Sequence, residues 1–278
     1  MSGASPRIAR VLSIAGTDPT GGAGIQADLK SIAANGGYGM AVVTALVAQN
    51  THGVRSVHVP PVSFLREQLL AVSDDVEIDA VKIGMLADVT VTRTVSEWLE
   101  QVTPPLVVLD PVMIATSGDR LLTEDAEQAL RDLLSLVHLV TPNIPELAIL
   151  AGAPVATSWA EVLRQASHVA EAHGVLVLAK GGHLSGDQVP DALVGANGVL
   201  EFPGVRIDTP NTHGTGCSFS SAVATRVAIL AAEGVPTLAN WSDAVGEAKL
   251  WLTESIVHSD DLRVGSGHGP IHHFAGLW

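Results

Sequence analysis

The sequence holds a single cysteine, Cys217, so no intramolecular disulfide can form, which fits a reducing compartment. Basic residues are scarce: 15 Lys+Arg stand against 29 Asp+Glu, a formal net charge of −14. No cationic surface is left to follow a phosphate backbone, which argues against nucleic acid and anionic membranes as partners. An anionic substrate would have to be held by local devices, such as backbone amides, one lysine or a bound metal ion. No apolar stretch precedes the strand-like residues 11–16, so no signal peptide is expected. The longest apolar helical run, about residues 222–232, is interrupted by Arg226 and too short to span a bilayer. There is no repeat, low-complexity block or linker. Together these absences lead to the expectation of one soluble, cytoplasmic domain over residues 1–278, with residues 1–7 as a flexible tail.

Apolar residues are plentiful, at 47% of a 278-residue chain, enough to bury a large core. They fall in strand-type runs at 11–16, 40–48, 80–85, 106–110, 139–143 and 175–180, apolar on both faces and separated by helix-type runs. That alternation predicts an α/β fold with a central, mostly parallel sheet flanked by helices on both faces. Helices are expected at about 25–34, 62–71, 89–101, 124–136, 145–151, 159–173, from near 217, and 238–258. Asn197-Gly198 marks a hairpin turn between 191 and 202.

Chemistry is expected first at residues 208–225, where Gly214-Thr215-Gly216 leads into an alanine-rich helix beginning near Cys217. Free amides and the positive end of the helix dipole suit an anion, and the same dipole is expected to favour the Cys217 thiolate. The plain alternative is a helix cap with a small buried cysteine. A second glycine loop, Gly16 to Gly24, follows a strand and precedes a helix, the place for a ligand in an open sheet. It half-fits a dinucleotide fingerprint, but Gln49 and Asn50 stand where a ribose-binding acid belongs. Gly22 stands where a Walker A loop needs lysine. The loop reads as shaping a small-molecule pocket, against a tight turn without a ligand. Asp28 on the next helix and Gln49 at the next strand end are both expected to face that crevice. The Gln49 amide would offer a heteroaromatic ring a donor and an acceptor; either residue alone could also be a surface or capping residue.

Three further strand ends carry polar residues. Asp110 and Glu146, in Asn143-x-x-Glu146, suit Mg²⁺ beside a triphosphate, although Asn143 suits an N-cap equally well. Lys180, one of four lysines, opens Lys180-Gly181-Gly182-His183, where Gly182 would let a nucleotide approach the backbone. His268, His272 and His273 lack a carboxylate or cysteine partner at a metal-binding spacing and read as packing or surface histidines.

Taken in order, AGTDPTGGAGIQADLK, TALVAQNTHGV, KIGML, VVLDPVM, TPNIPE, KGGH, NTHGTGC and GHGPIHHF resemble the hydroxymethylpyrimidine and phosphomethylpyrimidine kinases of thiamine biosynthesis, of the ribokinase-like superfamily. The resemblance runs from about Ile8 to the C-terminus. It implies ATP and Mg²⁺ and two phosphorylations, of the hydroxymethyl group and then of the monophosphate. It further implies that Gln49 hydrogen-bonds the pyrimidine, with Gly16, Asp28, Met85 and Val112 lining that pocket. Gly214, Thr215 and Gly216 would form the anion hole, and Cys217 the base in place of an aspartate. Lys180, Gly182 and Asn143 fall to the nucleotide, and Glu146 with Asp110 to the metal. A homodimer is compatible with the sequence. Three rivals stand beside this reading: a pyridoxine, pyridoxal or pyridoxamine kinase using the same site, a non-catalytic pyrimidine sensor, and a nicotinamide-dependent oxidoreductase built on the first glycine loop.

Overall fold

The first strand, β1 (Arg10–Ala15), is buried from Val11 onward, as a strand covered on both faces must be. In the computed structural model, which describes residues 8–113, 124–231 and 234–277, it lies inside an eight-stranded sheet. The expected tail, residues 1–7, lies outside the described residues. The other strands are β2 (Tyr38–Val43), β5 (Ala80–Ile83), β6 (Val107–Leu109), β7 (Leu139–Val140), β8 (Leu176–Lys180), β9 (Asp191–Gly195) and β10 (Gly198–Phe202). Their order is β10-β9-β8-β7-β6-β5-β1-β2. β2, β1, β5, β6, β7 and β8 run parallel, β9 runs against β8, and β10, antiparallel to β9, runs in the direction of the six. The C-terminal ends of seven strands therefore share one edge. The chain steps from β1 to β2 on one side and later returns to β5 on the other, so the sheet's switch point lies between β1 and β5.

Helices cover both faces. On one, α1 (Gly24–Ala34), α7 (Thr215–Leu230) and α8 (Leu238–Val257) pack Ile32, Phe219 and Trp241 against Val11, Val108 and Leu178. On the other lie α2 (Val62–Ser73), α3 (Val89–Val102), α4 (Glu124–Leu133), α5 (Ile144–Ala151) and α6 (Trp159–His173). Local signals fix their ends. Asp88 caps α3 by accepting from the Val91 amide at 2.9 Å, and Gly152 and Gly174 close α5 and α6 in the left-handed conformation. Helix α7 is rich in serine and alanine and buried on nearly every side; its small side chains let it lie directly on β1, β5 and β6.

Two expectations shift. The apolar run 40–48 is not one strand: after β2 the chain turns at Thr44 and Ala45, and β3 (Leu46–Asn50) pairs with β4 (Gly53–His58) in a separate two-stranded sheet. Polar groups of the crevice divert it. Thr44 Oγ1 donates to the Met85 carbonyl at 2.6 Å, the Thr17 amide donates to the Ala45 carbonyl at 2.9 Å, and the Val47 amide donates to Thr17 Oγ1 at 2.9 Å. In the hairpin of β9 and β10, Gly195 pairs with Gly198, so the two-residue turn is Ala196-Asn197, one residue earlier than expected.

Candidate active site

The crevice is built at the C-terminal edge from two glycine loops pressed together. Gly214, the N-cap of α7, has φ of 80°, and a Cβ there would lie 1.7 Å from the Gly22 carbonyl oxygen. Only glycine satisfies both the dihedral and the approach. The N-termini of α1 and α7 thus meet, and the first-turn amides of Thr215, Gly216 and Cys217 have no intrahelical acceptor. Thr215 bonds locally to the Thr212 carbonyl at 3.3 Å, and the Gly216 and Cys217 amides stand at a helix N-terminus of the kind that suits an anion.

Asp18 ties the loops together. Its buried carboxylate accepts from the amides of Thr20 (2.9 Å), Gly22 (3.1 Å) and Ala23 (2.8 Å), from Thr20 Oγ1 (2.7 Å) and from His213 Nε2 (2.9 Å). Burial alone would raise its pKa, but His213, Gln49 and Thr20 hold it well below the usual carboxylate range. An ionised Asp18 only accepts, so the proton of the contact sits on His213 Nε2. The C-terminal segment closes the ring. The Gly269 carbonyl accepts from the His213 amide at 3.0 Å, the Gly269 amide donates to Asn211 Oδ1 at 3.0 Å, and the His268 amide donates to the Thr51 carbonyl at 2.8 Å. The tail therefore joins the turn of the β3–β4 hairpin to the loop before α7. His272 and His273 are buried, and His273 Nε2 meets Ser218 Oγ at 2.9 Å. Among the described residues no group of three or more histidine, cysteine or acidic side chains is arranged to hold a metal.

On the wall at the switch point stand Gly16, Met85 and Gln49. A Cβ on Gly16 would lie 2.6 Å from the Met85 methyl and 3.8 Å from Val47, so the glycine makes room where the hairpin meets β5. Gln49 is half-buried at a bulge of β3, beside Asp18. Val112, half-buried, follows Asp110 past the end of β6. Toward β7 and β8 the site is charged. Lys180 Nζ donates to Asp110 Oδ1 at 2.9 Å, Thr141 Oγ1 donates to the same oxygen at 3.0 Å, and a Cβ on Gly216 would lie 3.3 Å from Lys180 Nζ. Burial opposes the Lys180 charge, but Asp110 and Glu146 outweigh it and raise the ammonium pKa. Asp110 is held low, with Lys180 and Lys82 overcoming its burial.

Glu146 behaves differently. Burial, with Asp110 adding to it against Lys180, pushes its carboxyl up to about 7. Such a carboxyl lacks enough positive charge nearby. Two hard oxygen donors, one of them short of a cation, fit Mg²⁺ held jointly with nucleotide phosphates. Asn143 forms a capping box with Glu146, its amide donating to Glu146 Oε2 at 2.8 Å and its Oδ1 accepting from the Glu146 amide at 2.9 Å. Asn143 thus orients Glu146. Gly182 is exposed, with no atom within 4 Å of where a Cβ would stand.

Two expectations are corrected. Asp28 does not face the crevice: it has no solvent exposure and ion-pairs with Lys82 at 2.8 Å beneath the crevice floor, because α1 turns it toward the sheet. The Cys217 thiol is not acidified. Its burial pushes the pKa up to about 11; Lys82 and the Gly24 amide pull it down, and Asp110 and Asp28 push it further up. Sequence reasoning also passed over Lys82, Asp18 and His213. A lysine inside the otherwise apolar AVKI of β5 was the available signal, since lysine is almost never fully buried unless paired.

A family model described as phosphomethylpyrimidine kinase matches residues 18–272. The chain is 53% identical over 270 residues, 97% of its length, to the thiamine biosynthesis multifunctional protein ThiED of Corynebacterium glutamicum, of which it spans 34%. It thus covers about a third of that longer relative. To the hydroxymethylpyrimidine/phosphomethylpyrimidine kinase of Escherichia coli K12 it is 48% identical over 268 residues, 96% of this chain and 98% of the other. The ADP complex of Bacillus subtilis pyridoxal kinase superposes with a TM-score of 0.85 at 32% identity, covering 97% of this chain and 98% of that one. A match that takes in most of the first glycine loop, the strand-end carboxylates, the second glycine loop and Cys217 leaves one assignment: the chain belongs to the phosphomethylpyrimidine kinase family.

Proposed function

We propose that the protein transfers the γ-phosphoryl group of ATP to 4-amino-5-hydroxymethyl-2-methylpyrimidine, and a second one to the resulting monophosphate, for thiamine biosynthesis. The observation that carries this is the convergence, at one sheet edge, of a ring-sized wall (Gly16, Met85, Gln49) with the open amides of α7 and Lys180. The near full-length identity to the Escherichia coli kinase supports the choice of ring.

In-line transfer passes through a loose transition state with charge on the equatorial oxygens, so the protein mainly positions reactants and stabilises that charge. The amides of Gly216 and Cys217 and the Lys180 ammonium do this. Asp110 and Glu146 would hold Mg²⁺, which when bound supplies charge neutralisation at the phosphates. The Gln49 amide orients the ring, and Met85 and Val112 pack against it. Cys217 accepts the proton of the hydroxymethyl group. With a thiol pKa of about 11, the thiolate that does so is a minor form near neutral pH. In the second reaction the acceptor is already an ionised phosphate, which needs no such base.

Mixing the protein with ATP, Mg²⁺ and the hydroxymethylpyrimidine, and following ³¹P resonances, tests the proposal. A monophosphate that converts to a diphosphate is expected. Tight pyrimidine binding without any new phosphorus signal would instead identify a non-catalytic sensor.

A further inference from the structure

Lys82 has a fully buried side chain in the middle of β5, paired in register with Ser13 of β1 and Val108 of β6. Its Nζ donates to Asp28 Oδ1 of α1 at 2.8 Å. Ser221 Oγ of α7 donates to the same oxygen at 2.8 Å, and Ser13 Oγ donates to Asp28 Oδ2 at 2.6 Å. Two residues on, Gly84 faces the same way, and a Cβ there would lie 3.0 Å from Lys82 Nζ. The lysine therefore runs along the sheet toward the C-terminal edge and ends under the glycine that makes space for it. Ser221 stands four residues after Cys217, on the same stripe of α7, so the ion pair lies one helical turn below the thiol. A buried pair is a weak source of stability, because desolvating two charges consumes most of their attraction.

We propose that Lys82 is a positioning residue for the phosphoryl transfer: its ammonium, anchored by Asp28, is a fixed positive charge under Cys217 that favours the thiolate. This rests on the base role given to Cys217 above. In the step, the thiolate takes the hydroxymethyl proton, the freed O–H electron pair forms the new O–P bond, and the O–P bond to ADP breaks with its pair on ADP. The charged groups acting on the thiol are Lys82 of β5, Asp28 of α1, Asp110 after β6 and Lys180 of β8, together with the Gly24 amide.

The chain has one cysteine, so alkylation by iodoacetamide reports Cys217 alone, with no substrate present. Lys82→Met is expected to slow alkylation at pH 8 and Asp28→Asn to speed it. A tenfold change in thiolate population, partly offset by the altered nucleophilicity, gives a rate change of roughly threefold. Lys82→Arg restores the charge and should return alkylation toward the wild-type rate. A merely structural role would move Lys82→Met and Asp28→Asn in the same direction, and that result, or no change in either, overturns the proposal. If the single variants do not fold, the double variant Lys82→Met/Asp28→Asn removes both charges; because Lys82 acts on the thiol more strongly than Asp28, it should alkylate more slowly than wild type, and an equal or faster rate overturns the proposal. Turnover reports separately. Unchanged phosphorylation by Lys82→Met with slowed alkylation would count against the base role of Cys217 and not against the charge under it.

Discussion

At the scale of single residues, burial disfavours the ionised forms of both Glu146 and Cys217, and for Glu146 this weighs on stability near neutral pH. Glu146 titrates near 7 in the folded chain against 4.5 ordinarily, so the folded state binds more protons across that window. Stability of the ligand-free protein is therefore expected to fall as pH rises from about 4.5 to about 7. Glu146→Gln keeps an acceptor for the Asn143 amide but no charge. It should raise the melting temperature at pH 8 by several degrees, flatten the fall between pH 5 and 8, and weaken Mg²⁺-dependent turnover. Differential scanning calorimetry at pH 5 and 8 checks this. For Cys217, a pKa near 11 means that the first phosphorylation should speed up with pH between 7 and 9, while the second stays nearly flat. Cys217→Ala should slow the first reaction by ~10²–10⁴-fold and abolish its pH dependence; initial rates on the two substrates show whether it does. The position of Cys217 at a glycine-lined helix start was legible in the sequence. Its acidity was not, because that depends on Asp110, Asp28 and Lys82, which come from three distant segments.

At the scale of elements, the glycines at the start of α7 have different tasks and should fail differently. Gly214→Ala forces a side chain onto a left-handed backbone and into the Gly22 carbonyl, where only backbone movement relieves it. A loss of at least about 2 kcal/mol is expected, visible as a lower melting temperature together with lost activity. Gly216→Ala meets only the flexible end of Lys180 and the Asp110 carboxylate at 3.3 to 3.6 Å. It should melt close to wild type yet turn over poorly, because the methyl projects beside the amides proposed to hold the phosphoryl group; thermal melts and rates on both variants separate the two roles. Periodicity located α1, α2, α5 and α6 within a residue or two. It missed the β3–β4 hairpin, since an apolar run says nothing about the hydrogen bonds from Thr44 and Thr17 that bend it away from the sheet. Gln49 lies in that hairpin and not at the end of a main-sheet strand.

At the scale of the whole molecule, the parallel sheet and its two helical layers were readable from the alternation of apolar runs, because strands covered on both faces leave little choice of composition. The C-terminal segment was not readable. Its glycines and histidines carry no periodicity, and its role appears only when Gly269 and His268 are seen to bridge residues more than fifty positions apart in the chain, from Thr51 to His213. The assembled crevice offers an amide-bearing wall and an anion site. Relative kcat/KM for ADP release with hydroxymethylpyrimidine, its monophosphate and pyridoxal, measured with the same enzyme and Mg²⁺-ATP, puts the reading at risk most directly. Both pyrimidines should be turned over, with pyridoxal at least about tenfold less efficient. Faster turnover of pyridoxal than of either pyrimidine, or no ADP release with either pyrimidine, would contradict it.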